Sequence, residues 1–183
     1  MPRQPDETVA YHAARLLLVI ALCGTPQAGS ARLPGVKGRT LLAKLDFFLR
    51  YPAYLARAAQ IEGKRLSTDD LGLSSPDEVD TVESRMVRYR YGPWDHVYYT
   101  ALAYLIGKDL VRVELEGGTE TFRLTDRGRE IAAELARDPA YTDLAQRARS
   151  VYRLFNRFSG SRLKDFIYRH FPEVVGRKLG ATI

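Results

Sequence analysis

From Leu110 to Glu116 the chain alternates, with Val111, Val113 and Leu115 on one side and Arg112, Glu114 and Glu116 on the other. Successive side chains of a strand point to opposite faces, so this pattern predicts a half-buried strand. Gly117-Gly118 can adopt the positive φ angles of a tight hairpin turn. Thr119 to Thr125 returns as a second strand, with Phe122 and Leu124 facing the same core. Thr125 or Asp126 then caps a following helix by accepting from its free N–H groups. Upstream, a strand begins near Arg85, and a helix follows Gly92-Pro93 over 94–109, with Leu102, Leu105 and Ile106 as its buried stripe. Strand, helix, β-hairpin, helix is the order of a winged-helix domain. Such domains bind nucleic acid or other proteins and rarely carry out chemistry.

The rest of the chain is mostly helical. After a frayed terminus (residues 1 to 7), residues 7–23 predict a helix whose second half, Leu16 to Cys23, is apolar on nearly all sides, so it belongs in the middle of the core. Residues 24–38 hold four glycines and two prolines and read as a loop. A helix from Arg39 carries Leu41, Leu42, Leu45, Phe48 and Leu49 on one broad face until Pro52 interrupts it. Ala53 to Gln60 adds a turn or two. The polar stretch 62–85 is a loop or an inserted short helix. Residues 141–158 give the cleanest amphipathic helix, with Leu144, Ala148, Val151, Phe155 and Phe158 on one stripe and Arg149, Arg153 and Arg157 opposite. A shorter helix, Arg162 to His170, stops before Pro172. The expected class is α+β and mostly helical: a winged-helix domain over 1–138, with a β-hairpin wing and a polar insertion at 62–85, then a basic C-terminal helical extension over 139–183.

Charge changes this picture. The 183 residues carry a net charge of +6. Residues 141–183 hold nine Lys/Arg against three acids, so the whole excess lies there. The expected third helix has Asp95, Lys108 and Asp109; the hairpin has Arg112 and Arg123 against Glu114, Glu116 and Glu120. Phosphate neutralisation supplies most of a DNA reader's affinity, and this surface is net negative. The wing is therefore expected to contact protein. Tyr98, Tyr99 and Tyr104 cannot all point inward if Leu102, Leu105 and Ile106 do, and exposed tyrosines suit interface centres. They are the candidate protein-interface residues. Arg149, Arg153 and Arg157 are the candidate nucleic-acid contacts, for weak non-specific DNA binding, or else simply a solvated face. Arg88 and Arg90 either add to a basic surface or point to water.

Composition adds limits. With 45% hydrophobic and 27% charged residues the chain reads as an ordinary globular protein. One cysteine, Cys23, rules out an internal disulfide framework, fits a reducing compartment and reads as a small core side chain. The apolar run at 16–23 is far shorter than the ~20 residues of a membrane span. Asp6 and Glu7 stand where a signal peptide needs positive charge. No membrane association and a cytoplasmic location are expected. The sequence has no phosphate-cradling glycine loop, no His-Glu-x-x-His and no nucleophile elbow. Asp69-Asp70 and Asp77-Glu78 read as solvated loop acids. No catalytic residue, metal ligand or cofactor is expected, and none is assigned.

Three stretches carry a family resemblance: Arg15-Leu-Leu-Leu-Val-Ile-Ala-Leu, Leu42-Ala-Lys-Leu-Asp-Phe-Phe-Leu-Arg-Tyr-Pro-Ala-Tyr-Leu-Ala-Arg-Ala, and Ile167-Tyr-Arg-His-Phe-Pro-Glu-Val-Val. With Arg90-Tyr-Gly-Pro-Trp-Asp between them, they resemble the middle component of bacterial ABC-three-component systems, gene sets of the Lamassu type thought to defend against phage and plasmids. The resemblance spans nearly the whole chain through structural motifs, none of them catalytic. It implies a winged-helix accessory subunit that binds an SMC- or Rad50-like ATPase and helps couple it to an effector subunit. Two other readings are a winged-helix transcriptional regulator and an antitoxin that holds a toxin inactive.

Overall fold

The computed structural model describes residues 8–25, 33–82 and 85–183. The expected frayed terminus 1–7 and the centre of the expected loop 24–38 lie outside the described residues. Within them the chain is α+β and mostly helical. Its elements are α1 (Val9–Cys23), β1 (Gly35–Lys37), α2 (Arg39–Arg50), α3 (Pro52–Ile61), β2 (Val87–Tyr89), β3 (Gly92–Trp94), α4 (Val97–Gly107), β4 (Val111–Glu116), β5 (Thr119–Leu124), α5 (Asp126–Leu135), α6 (Thr142–Phe155), α7 (Gly160–His170) and α8 (Pro172–Val175).

α1 is the central helix, as its apolar second half demands. It packs against α2, α4, α5 and α6, and Leu16 to Ile20 are all but inaccessible to solvent. Thr8 caps it by accepting from Tyr11 N–H. Pro52 starts α3 at the position where a missing N–H costs nothing. The polar insertion forms two single turns of 3₁₀ helix, Asp69–Leu71 and Pro76–Asp80.

One antiparallel sheet has the order β1-β5-β4, and β2 and β3 form a separate hairpin. This corrects two expectations. The strand that precedes α4 pairs not with the 111–124 hairpin but with β3, and with the C-terminus, where Arg88 N–H donates to Ala181 O. The third strand of the sheet is β1, which lies inside the segment expected to be loop, with Val36 opposite Phe122. Three residues between Pro34 and Gly38 are too few to show a period. In the 111–124 hairpin Gly117 and Gly118 both take positive φ, 59° and 77°, as the tight turn requires. Thr125, rather than Asp126, caps α5 by accepting from Gly128 N–H.

The expected boundary near residue 138 does not divide the core. Ala145, Ala148, Val151, Leu163, Ile167 and Phe171 belong to the same buried cluster as α1 and α2. Cys23 sits there too, its thiol against Ala148 O, and burial pushes its pKa up.

Buried charge holds these layers in register. Asp46 of α2 is fully buried and accepts from Arg15 Nε of α1 at 2.9 Å, Arg50 Nε at 2.9 Å and Tyr98 Oη of α4 at 2.8 Å. Arg50 reaches on to Asp95 at 2.7 Å. Arg15 also donates to His12 Nδ1, and burial beside that guanidinium lowers the His12 pKa, so its ring is neutral. Burial alone would raise the Asp46 pKa, but Arg15 and Arg50 outweigh it and hold it at about 2.

Removing the carboxylate strands the buried Arg15 guanidinium and leaves Arg50 with Asp95 alone, so Asp46→Ala should destabilise the fold by about 3–5 kcal/mol in urea titrations. The folded-state pKa lies below the unfolded value of 3.8. Asp46 therefore contributes stability above pH 4 and loses it as pH falls toward 2. Acid titration followed by circular dichroism should show this loss in the parent.

Candidate functional site

The surface expected to meet a partner is built by α4 and the β4–β5 hairpin. Along α4, Tyr98, Ala101, Leu102 and Leu105 face inward, an i, i+3, i+4, i+7 stripe. That phase corrects two assignments. Tyr98 is buried and committed to Asp46, so it leaves the set of interface candidates. Ile106, expected inside, is 43% exposed. Tyr99 and Tyr104 are outside, at 56% and 40%. α4 contains no charged residue at all.

The hairpin alternates as expected, but its apolar face outruns the core. Val111 pairs with Leu124, Val113 with Phe122 and Leu115 with Glu120. Val36, Phe122, Val111 and Leu124 are covered, whereas Val113 is 42% and Leu115 76% exposed. β1 and α1 cover β5, but β4 is the sheet's edge and projects past them. The opposite face is closed by charge. Arg123 is buried, donates to Glu114, Glu116 and Leu33 O, and so takes both acids of β4 out of circulation. Burial alone would lower the Arg123 pKa, but the bonds to Glu114 and Glu116 outweigh it and raise it.

The basic candidates fare differently from one another. Arg149 and Arg157 are exposed, Arg149 bonding among the described residues only to Gln146 of its own helix. Arg153 pairs with Asp70 and Ser150, and Arg157 lies beyond the end of α6. The three therefore do not form one free stripe. The same ion pair corrects Asp70, which is a half-buried anchor rather than a solvated acid. It accepts from the Ser67 N–H and hydroxyl and from Arg153, and these bonds lower its pKa. Nothing in sequence spacing marks a pair 83 residues apart. Arg88 does not reach water either; it is buried and donates to Val175 O and Tyr168 Oη.

Among the described residues no group of three or more His, Cys, Asp or Glu could hold a metal ion, and no helix is long and apolar enough to cross a membrane. Comparison with protein-family models, with curated proteins and with solved structures finds no match.

The hairpin geometry separates what folds the chain from what it presents. Leu115→Ser should change the unfolding free energy by no more than about 0.5 kcal/mol. Phe122→Ala, on the same face but covered, should cost about 3–5 kcal/mol. Parallel urea titrations of the two variants check the contrast.

Proposed function

We propose that this chain is a non-enzymatic, winged-helix accessory subunit that docks a partner protein through the outer side of α4 and the β4 edge of its hairpin. The observation that carries the reading is Leu115 with Val113, apolar and exposed on a hairpin next to a helix without charge. Supporting the fold name is the element order α1, β1, α2, α4, β4, β5 with β1 as third strand of the hairpin's sheet. In a DNA-reading member of that class α4 would enter the groove, and it needs Lys or Arg there. Here that helix offers tyrosines and aliphatics, which suit a desolvated protein contact.

The partner that the sequence resemblance implies is an SMC- or Rad50-like ATPase of a defence complex against phage or plasmids, working with an effector subunit. The cytoplasm is the compartment such a complex requires. Co-expression with a coiled-coil ATPase from the same gene neighbourhood, followed by affinity capture, tests this. The parent should retain the ATPase, and a Leu115→Glu/Tyr104→Glu variant with unchanged circular dichroism should retain at least about ten-fold less, since each buried anchor carries more than about 1 kcal/mol. Unchanged retention would remove the interface from this face. A nanomolar, sequence-selective duplex complex would instead favour the transcriptional regulator.

A further inference from the structure

A cleft of about 530 Å³ opens between the first turns of α2 and α7. Lys37, Lys44 and Lys164 line it with Thr40, Gly160 and Ser161, and no acidic residue among the described ones does. The two first turns are close: a Cβ placed on Gly160 would lie 3.6 Å from that of Leu41. Each helix brings the positive end of its dipole to the cleft. α2 begins at Gly38 (φ +86°) without any side-chain cap.

Lys44 is the residue that asks for a ligand. It is only 3% exposed, yet its ammonium bonds only to Thr40 O, at 3.0 Å, with no carboxylate within 4 Å among the described residues. A buried cation is costly without a counter-charge. Burial and the like charge of Lys164 pull its pKa down to about 8. Lys164 has Asp165 at 3.2 Å, which does not line the cleft. An anion between the lysines would supply the missing charge.

Thr40 and Tyr91 are shared with a second, apolar pocket of about 220 Å³. Its walls are Tyr89, Tyr91, Pro93, Trp94 and Tyr99, with Arg39 at the rim. Tyr89 stacks on Trp94 with centroids 5.7 Å apart, Tyr99 meets Trp94 edge-on at 6.0 Å, and the Arg39 guanidinium lies 5.6 Å over Tyr99. Arg39 is itself held by Glu120 at 2.8 Å. Aromatic rings beside a basic groove are how proteins hold unpaired nucleotides, the rings taking bases and the cations phosphates.

We propose that the two cavities together bind single-stranded nucleic acid, its phosphates against Lys37, Lys44 and Lys164 and one base in the Tyr89–Tyr91–Tyr99 pocket. A strand fits better than a free nucleotide because the cleft is larger than one phosphate requires and is lined by three separate cations. The site adjoins the proposed partner face through Tyr99, which lines the aromatic pocket, whereas Val113, Leu115, Tyr104 and Ile106 line neither cavity.

Trp94 is the only tryptophan of the chain, so its emission reports occupancy of the pocket. The intact protein is titrated at low salt with a short labelled oligothymidylate, with an abasic strand of equal length and with a mononucleotide. Expected are quenching of Trp94 by the oligothymidylate, about ten-fold weaker binding of the abasic strand, and a log–log salt slope of about −2 for the three lysines. Tyr91→Ala, at an exposed ring, and Lys37→Gln/Lys164→Gln should each weaken binding by about ten-fold. Lys44→Gln keeps a donor for Thr40 O; it should fold at least as stably as the parent and still bind more weakly. Absence of binding would overturn the proposal. So would binding that survives these changes but disappears in Arg149→Glu/Arg157→Glu, because the contact would then lie on α6. Mononucleotide binding as tight as the strand's would overturn the assignment to a strand.

Discussion

A single carboxylate, Asp46, organises the centre of this protein. Arg15 reaches it from α1, Arg50 from its own helix and Tyr98 from α4, and Arg50 carries the network to Asp95 ahead of α4. Two cations and two anions make the cluster neutral overall, which is what allows ionised groups so far from water. The arrangement also answers a packing problem. A helix that is apolar nearly all round, as α1 is between Leu16 and Cys23, has little in its surface to fix rotation or axial position. Arg15 supplies that reference point at the start of the apolar run. Hydrophobic contacts tolerate a slide by a fraction of a turn; a bond from Arg15 Nε to one oxygen of Asp46 does not.

The same economy governs the basic C-terminal third. Its excess charge invites a reading as a nucleic-acid surface, yet several of its cations are structural. Arg147 is buried and donates to Leu49 O, Leu71 O and Gly72 O, which joins α6 to the end of α2 and to the first turn of the polar insertion. Ser150 and Arg153 fasten the same turn through Asp70. Arg177 folds back on Glu173 O and Thr182 O. Arginine serves this purpose because its planar fork satisfies several carbonyls at once. Net charge along a segment is thus a poor guide to where free charge lies.

What the sequence disclosed follows from the range of each signal. Local periodicity places α1, α2, α6 and the β4–β5 hairpin to within a few residues, and chemistry alone marks Gly117-Gly118 as the turn and narrows the cap to Thr125 or Asp126, of which Thr125 makes the bond. Non-local features were not visible. β1 is a strand only because β5 lies beside it, and three residues carry no period. The insertion takes its form from Arg147 and Arg153 more than seventy residues away. In α4 apolar and aromatic residues stand on every side, so composition could not choose between Tyr98 and Ile106 as the inner residue. Asp46 chose, by offering Tyr98 Oη an acceptor. Lys44 is inconspicuous for a related reason: in sequence it is one more polar break on an amphipathic helix, and its burial depends on how α7 packs on α2.

The distribution of free charge separates two faces. On the hairpin, Arg123 consumes Glu114 and Glu116, which leaves Val113 and Leu115 beside the Glu120–Arg39 ion pair on one side and the opposite side nearly neutral. A surface of that kind offers a protein little electrostatic reason to reject it and a phosphate little reason to stay. Around α2 and α7 the opposite holds: among the described residues Lys37 and Lys44 have no carboxylate within ion-pair distance, Asp165 acts on Lys44 only from farther off, and the helix ends beside them are positive as well. The two surfaces meet at Tyr99, which stands on the outer side of α4 and lines the aromatic pocket. Beneath them α2 carries Asp46 into the buried charge cluster and, two residues away, Lys44 into the lining of the cleft, so one helix serves both the core and the basic surface.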